Sequence, residues 1–479
     1  MSKNSRPFAS PFSPNQMLNL MELPLDNVIQ IFKFVDPADI FTLQRTCKKF
    51  LDLTLTRTVW LNALRRICEM NSLFEPSFPF DDMSLLELQR AATSVSRRFT
   101  KKLYKPEGDA LSPFVSRILT PRVVKTSNVA ARDPGVLKTL DLVPGGRFLF
   151  ITTDTVVHLW DLGQGANKLI KPHALASIEL PDQSSEASIS FLPTPDGTGL
   201  EVMATSLEQD GSRKFTIAVY RIYPLATNPE FVPVTEAIPF PNVYIMRSFL
   251  VKPGRCVLHC VRHVYVWDTT RNLWAGWKTG ESNKVFVHQD MLVTVGPRTI
   301  SIWEMPIPSC ETFAACRIDD YRPMMSLSHP FPRHEIEMPT STDWFSSVGT
   351  QPCFLSLVGF VKEKRQIARY TMQHLDSTNS NLPRCIPILM DTVQIPDTVS
   401  DEYICDDIHS CGGDALTVWT SKTAAVIEVH ISPMPVERKA AGAPFKSDFN
   451  FSLCAATGRL CTTIGQANEI LVLDFLLPN

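Results

Sequence analysis

The sequence predicts a multidomain α plus all-β protein, in which a small N-terminal helical domain and linker helices precede a large array of antiparallel hairpins. Three observations predict it. Helix start signals and helical apolar spacing are confined to the stretch from Leu23 to about Lys102. From about Ala110 the chain turns to short β-rich runs broken by Gly, Pro, Asp and Asn. Those runs repeat one anchor, an apolar strand ending in an aromatic residue and often an acid.

Bulk properties set limits on function. The chain has 479 residues, 44% hydrophobic and 20% charged, with 47 Lys and Arg against 49 acids and a formal net charge of -2. No net field points to nucleic acid or an anionic membrane as the main partner. Residues 1–20 hold Pro7, Pro11 and Pro14 among Ser and Asn, with no apolar run of signal-peptide length, and are expected to be a disordered lead-in. No stretch offers the eighteen or more apolar residues of a membrane span. Twelve cysteines are too sparse for a secreted disulfide framework, so free thiols and a cytoplasmic or nuclear setting are expected.

Residues 21–61 read as a small helical domain. Pro24 is placed in a first helical turn, where its missing N–H costs nothing, and Leu25, Val28, Ile29 and Phe32 recur at helical spacing after it. Asp36-Pro37-Ala38-Asp39 repeats the start signal, with Asp36 as N-cap and Pro37 at the first helical position. The second helix carries Ile40, Phe41 and Leu43 toward Cys47. Lys48-Lys49-Phe50 opens a third segment that ends near Trp60-Leu61. Some forty residues rarely stabilise a core alone, so either the rest of the chain or another protein covers these apolar faces.

Leu23-Pro24, the Val28, Ile29 and Phe32 positions, Val35 through Ile40, Thr46-Cys47-Lys48-Lys49-Phe50 and Trp60 together resemble the F-box motif in residue type and spacing. Asp26 meets the acid that follows the proline in that family, and Thr46 replaces its usual apolar residue before the cysteine. The resemblance implies that this segment binds a Skp-type adaptor and, through it, the cullin scaffold of a ubiquitin ligase. It implies adaptor contacts from Leu23, Pro24, Leu25, Val28, Ile29, Phe32, Val35, Pro37, Ile40, Leu43, Cys47, Phe50 and Trp60. The competing reading is a helical hairpin packed on the chain's own larger domain, with no partner.

Residues 62–105 read as a helical linker. Leu61 to Ile67 continue the helical signals, and a loop with Pro76 and Pro79 follows. Ser84 and Glu87 then form a capping box for a helix expected to run to about Lys102 and to bridge the two domains. Arg97, Arg98, Lys101, Lys102 and Lys105 cluster at its end, where the helix dipole favours positive charge; a phosphate-binding patch is the alternative.

Residues 110–479 carry the repeat. Its anchors are Trp160, Tyr220, Trp267, Trp303, Tyr370, Trp419 and Leu473, at intervals of 60, 47, 36, 67, 49 and 54 residues. The clear copies are hairpins, Phe148 to Ile151 before Val156 to Asp161 and Met291 to Val295 before Ile300 to Glu304, with Gly-containing turns upstream at Val143 to Arg147, Thr194 to Gly197, Lys252 to Arg255 and Ala456 to Arg459. Three or four strands per repeat and seven anchors predict a seven-bladed β-propeller, with each terminal aromatic packed between blades. Trp-Asp pairs such as Trp160-Asp161 and Trp267-Asp268 resemble the closing pair of WD repeats, although the Gly-His signature of that family is absent. A pair of β-sandwiches is the alternative. The stretches from Pro306 to Trp344 and from Ile431 to Phe449 are expected to be long surface loops.

Enzyme signatures are missing: there is no Gly-x-Ser-x-Gly elbow, Walker-type loop, His-Glu-x-x-His or Cys-x-x-Cys. Cys256, His259, Cys260 and His263 come nearest to a metal cluster, but on one extended strand the cysteines face away from the histidines. Asp406-Asp407, His409 and Cys411 are expected to form a polar loop. Neither catalytic residue, cofactor nor metal is predicted. The function expected is that of a non-catalytic substrate receptor of a ubiquitin ligase, with a protein substrate held by the propeller through residues the sequence does not single out. The alternative is a scaffold or ligand-binding propeller with no role in ubiquitin transfer. Arg147, Arg255, Arg298 and Arg459 each follow a turn signal; they are solvated turn residues unless they converge on one rim to hold a phosphorylated segment.

Overall fold

In the computed structural model, Pro24 caps the first helix instead of entering it. Its φ of -52° and ψ of 145° are extended, and its carbonyl accepts the N–H groups of Asn27 and Val28. Helix α1 is Leu25–Phe32. Helix α2 (Pro37–Gln44) begins as expected, with the Asp36 carboxylate accepting the Ala38 N–H at 2.9 Å. The third expected segment divides into α3 (Lys48–Thr54) and α4 (Arg57–Met70), so Trp60 belongs to a fourth helix. Its indole Nε1 donates to the Thr54 carbonyl at 2.6 Å, satisfying one of the acceptors that the end of α3 leaves without a helical partner. Helix α5 (Leu85–Ser94) opens on the capping box, with the Ser84 N–H donating to Glu87 Oε2 at 2.6 Å and the Glu87 N–H to Ser84 Oγ at 3.3 Å.

The structure describes residues 23–94, 113–121, 136–164, 169–180, 184–208, 215–240, 245–260, 262–280, 282, 284–288, 290–313, 316–318, 321–331, 354–361, 364–375, 382–394, 403–411, 414–421, 427–432, 439–440, 450–464 and 469–476. The expected continuation of α5 and the basic cluster from Arg97 to Lys105 lie outside them. The chain divides into two compact units, Met1–Arg66 with Phe80–Thr93, and Ile67–Pro79 with Ser94–Asn479.

The second unit is built of sheets laid down largely in chain order, seven among the described residues, antiparallel except where Arg317–Ile318 joins Leu273–Lys278 in parallel. They occupy 137–179, 184–240, 245–278 with 317–318, 284–304 with 325–328, 354–394, 403–440 and 451–474. The first is a plain meander of Leu137–Leu142, Phe148–Thr153, Val156–Asp161 and Ala176–Glu179. The last holds Phe451–Cys454, Arg459–Ile464 and Glu469–Asp474, and its outer strand is Val115–Leu119, from the other end of the chain. Innermost strands of successive sheets approach one another: Leu137–Leu142 meets Ser184–Pro193, which meets Ile245–Lys252, and Phe451–Cys454 returns to Leu137–Leu142. Sheets that follow one another around an axis, with the last packed on the first and closed by an N-terminal strand, make a β-propeller.

Side chains between sheets form its core. Phe148, Phe150 and Leu159 of the first sheet pack with Leu200 and Val202 of the second, and Tyr220 lies against them. Trp267 and Trp274 of the third sheet pack with Ile217 and Val219 of the second, their rings stacked at 5.0 Å. Trp303 sits with Val257, Val266 and Trp277 of the third sheet, and Tyr370 with Val293 and Ile300 of the fourth. These anchors therefore pack between sheets, as the repeat predicts. Their strand positions differ. Trp160, Tyr220, Trp267, Trp303 and Leu473 lie on third strands, whereas Tyr370 and Trp419 lie on the second strands, Lys364–His374 and Asp414–Ser421.

Four sequence expectations change. Cys256, His259 and Cys260 lie on Arg255–Cys260 but His263 opens the next strand, His263–Asp268. Asp406, Asp407, His409 and Cys411 form strand, within Tyr403–Cys411, because a register shift between Cys405 and Asp407 takes up the extra residue. The expected loop stretches contribute strand as well, at Arg317–Ile318, Met325–Ser328 and Lys439–Ala440. The stretch around Pro76 is a 3-10 turn, Glu75–Ser77, that joins the core of the second unit: Phe74 packs edge-on to Phe148 at 6.1 Å and its N–H donates to the Pro144 carbonyl at 2.9 Å. Gly145, at φ +108°, lies against Ser77, where a Cβ would collide.

Candidate protein-interaction site

Helices α1 to α4 bury one set of apolar side chains and leave another outside. Val28, Phe32, Ile40, Phe50 and Trp60 are buried, with Phe32 and Phe50 rings 6.0 Å apart and Phe41 4.8 Å from Trp60. Pro37 is buried too; Leu23, Ile29, Val35, Leu43 and Cys47 are half-buried, and Pro24 and Leu25 are exposed. Six of the thirteen sequence-predicted residues thus shape the helices from within, and five more are partly covered. The exposed apolar set is Leu25, Ile31, Phe34, Leu51 and Leu55, with Phe34 77% exposed. Sequence spacing missed Phe34 because it follows the last turn of α1. Its signal was an aromatic residue left in the short connection to Asp36.

Arg57, at the start of α4, donates to the carbonyls of Met83, Phe80 and Asp81, the last at 3.3 Å, and Arg65 lies 5.6 Å from the centre of the Phe80 ring. These contacts bring α5 into the helical unit. The F-box domain family matches residues 20–62, which span α1 to α3 and the start of α4. This helical segment is an F-box domain. No curated protein matches the chain. Solved structures similar to it include the β-propeller domain of Cps50 (Swd1) from Myceliophteria thermophila, at 10% identity and a TM-score of 0.47, covering 72% of this chain and 98% of that one. The WD40 domain of SCAP from fission yeast is similar at 12% identity and a TM-score of 0.42, covering 71% and 84%.

Beyond the F-box, the turn arginines are not a set of free cations on one rim. Arg147 grips Asp161 through two bonds of 3.0 and 2.9 Å, lies 5.0 Å over the Phe148 ring and donates to the Pro76 carbonyl at 3.3 Å. Arg459 is buried, bound to Asp474 at 2.6 Å and to the carbonyls of Gly146 and Gly163. Arg255 lies 3.8 Å from Asp290, which Lys252 also meets at 2.8 Å. These three follow turns between innermost and second strands. Exposed Arg298 stands between second and third strands, at the opposite end of its sheet.

The same end of the sheets carries a repeated lock that the sequence reading missed. Fully buried Glu201, at the start of its second strand, accepts the Gly254 N–H of the next sheet's turn at 2.6 Å and Arg221 at 3.1 Å. Arg459 does the equivalent from the last sheet to Gly146 of the first. A charged residue following a turn is the only sequence trace of this role.

The remaining chemistry-bearing groups are structural. Cys256 and Cys260 lie in the core between the second and third sheets, and burial pushes the Cys260 thiol up to about 12. His259 Nε2 is 3.0 Å from Ser282 Oγ, and burial, aided by Arg247, pushes its pKa down to about 4.

Proposed function

We propose that this chain is the substrate-recognition subunit of a Skp–cullin–F-box ubiquitin ligase. The F-box holds a Skp-type adaptor, and through it a cullin; the propeller, with one blade per sheet and therefore seven, holds a protein substrate. The observation that carries this reading is the apolar set left outside the F-box helices, Leu25, Ile31, Phe34, Leu51 and Leu55. Covering a Phe side chain contributes about 2 kcal/mol, and such anchors dominate interfaces. Of the residues that the F-box resemblance nominates, Leu25 makes direct contact, while Val28, Phe32, Ile40, Phe50 and Trp60 hold the helices in a shape the adaptor fits. The chain supplies proximity: it raises the effective concentration of substrate lysines near an enzyme carried elsewhere on the assembly.

The test is co-expression with a Skp-type adaptor and a cullin, followed by size-exclusion chromatography of the wild type and Phe34→Lys. The complex should form with the wild type and weaken at least tenfold in the variant, at unchanged melting temperature. An adaptor complex that never takes up a cullin would favour the scaffold reading. Point substitution is preferred to deleting residues 1–105, which would also remove Phe74 from the core beside Phe148.

A further inference from the structure

The connection that leaves the fourth sheet after Thr299–Glu304 crosses to the outer strand of the third sheet before it returns as Met325–Ser328. It meets that strand, Leu273–Lys278, at two successive places. Cys310 forms an antiparallel bridge with Trp274, whose N–H donates to the Cys310 carbonyl at 2.7 Å and whose carbonyl accepts the Cys310 N–H at 3.0 Å. Further along, the Gly276 N–H donates to the Cys316 carbonyl at 2.8 Å, and Arg317 stands level with Gly276 in the parallel pair. Cys316 therefore lies one level before Arg317, beside Ala275, and Cys310 lies beside Trp274 on the same edge. Neighbouring levels differ by about 3.4 Å along a strand. Two backbone segments in contact at such levels have Cα atoms within the window of about 4.4–6.8 Å that a disulfide spans. The side chains share one core: Cys316, 1% exposed, belongs to the cluster around Trp267 and Trp274, and half-buried Cys310 packs against it. Cys316 Sγ donates to the Phe313 carbonyl at 2.9 Å, inside the loop that Cys310 opens. Other cysteines sharing a hairpin or a strand are too far apart. Cys454 and Cys461 pair with Arg459 and Ser452, which sets them two levels and one strand apart, about 8 Å. Cys256 and Cys260 are about 13 Å apart along Arg255–Cys260.

We propose that Cys310 and Cys316, both thiols in this structure, are a redox-responsive pair that hydrogen peroxide converts to a disulfide. Half-buried Cys310 meets the oxidant first. Its sulfur attacks one peroxide oxygen, the O–O bond breaks, and the other oxygen leaves as water with the thiol's proton, giving a sulfenic acid. The Cys316 sulfur then displaces the new hydroxyl: the S–S bond forms, the S–O bond breaks and a second water carries off the Cys316 proton. Two thiols have given two electrons to one peroxide, and a dithiol reductant reverses the bond by exchange. The product closes the loop that seats Phe313, whose ring lies 4.2 Å from Tyr265, 4.9 Å from Phe240 and 5.5 Å from Trp274. Phe240 belongs to the second sheet, Trp274 to the third, and the loop itself comes from the fourth. Oxidation therefore straps three successive sheets together and restricts the unfolded chain as well.

The inference goes beyond the ligase reading and does not depend on adaptor or substrate binding. The test treats the folded full-length chain with hydrogen peroxide, alkylates the remaining thiols and maps the tryptic peptides by mass. Residues 299–317 form one tryptic peptide that holds both cysteines. After peroxide it should lack two hydrogens and refuse alkylation, and dithiothreitol should restore both thiols. The melting temperature should rise with the bond and fall back on reduction. Cys310→Ser should remove the rise and leave Cys316 open to alkylation in the unfolded chain; the wild-type peptide map stands even if that variant folds poorly. The proposal is overturned if both thiols survive peroxide, if Cys310 goes on to a sulfinic acid while Cys316 stays a thiol, or if either cysteine pairs elsewhere. A disulfide that forms only in urea, or one that leaves the melting temperature unchanged, overturns it as well.

Discussion

Arg459 Nε lies 2.6 Å from Asp474 Oδ1 in a buried ion pair, and the other oxygen of the same carboxylate receives Arg117 at 2.9 Å. Arg117 stands on the N-terminal strand Val115–Leu119 and Asp474 on the C-terminal strand it closes upon, so one acid ties both ends of the propeller. Burial and the neighbouring Arg459 charge lower the Arg117 pKa, and Asp474 opposes them. Asp474→Asn should leave two buried guanidiniums facing each other and cost about 3–5 kcal/mol. Arg117→Leu, which leaves the Arg459 pair intact, should cost distinctly less. Urea unfolding of the two variants checks the order.

At the break between α3 and α4 the Thr54 carbonyl is satisfied by the Trp60 indole N–H. Trp60→Phe keeps the ring in place beside Phe41 but removes the N–H from the Thr54 carbonyl. A buried acceptor left without its partner costs about 1–3 kcal/mol. Thermal melting should show that loss; an unchanged melting temperature would mean water reaches Thr54.

Gly145→Ala should detach the Glu75–Ser77 turn from the first sheet, because a Cβ meets the Ser77 side chain and the backbone is already at φ +108°. Limited proteolysis should then cut near Phe74 in the variant and not in the wild type. Phe74→Ala should give the same cleavage and lower stability by about 3–5 kcal/mol.

Acid should weaken the propeller through His259. The folded ring protonates only near pH 4, while the unfolded one does so near its ordinary value of 6.5. Below pH 6.5 the unfolded state binds more protons, so the stability present above that pH is lost as pH falls toward 4. Between pH 7.5 and 5.0 the wild type should lose about 2 kcal/mol more than His259→Gln, measured by urea unfolding at each pH.

Local rules made much of this protein legible. Asp36-Pro37 starts a helix because the side chain and the ring satisfy that helix's own first turn, and Ser84 with Glu87 does so for α5. Phe148-Leu149-Phe150-Ile151 and Val156 to Asp161 pair because a short turn brings neighbours together. The F-box pattern was readable from fixed spacings within one short segment, and the propeller's anchors from one strand pattern that returns at intervals of 36 to 67 residues.

Phe34 and Phe32 are both aromatic and two residues apart, yet one is exposed and the other buried, a difference decided by how α1 packs on its neighbours. Arg147 and Arg459 follow similar turns to Arg298, but only the docked Glu75–Ser77 turn brings Pro76 to the first, and only the meeting of last and first sheets brings Gly146 to the second. Phe74 looked like a linker residue until the first sheet was in place to receive it. The sequence by itself determined the helices and hairpins, whose hydrogen bonds join near neighbours in the chain, and the repeat, whose copies share one residue pattern. Tertiary structure alone decided which apolar residues remain outside and which charges are paired, because those outcomes depend on partners that lie up to 357 residues away, as Arg117 and Asp474 do.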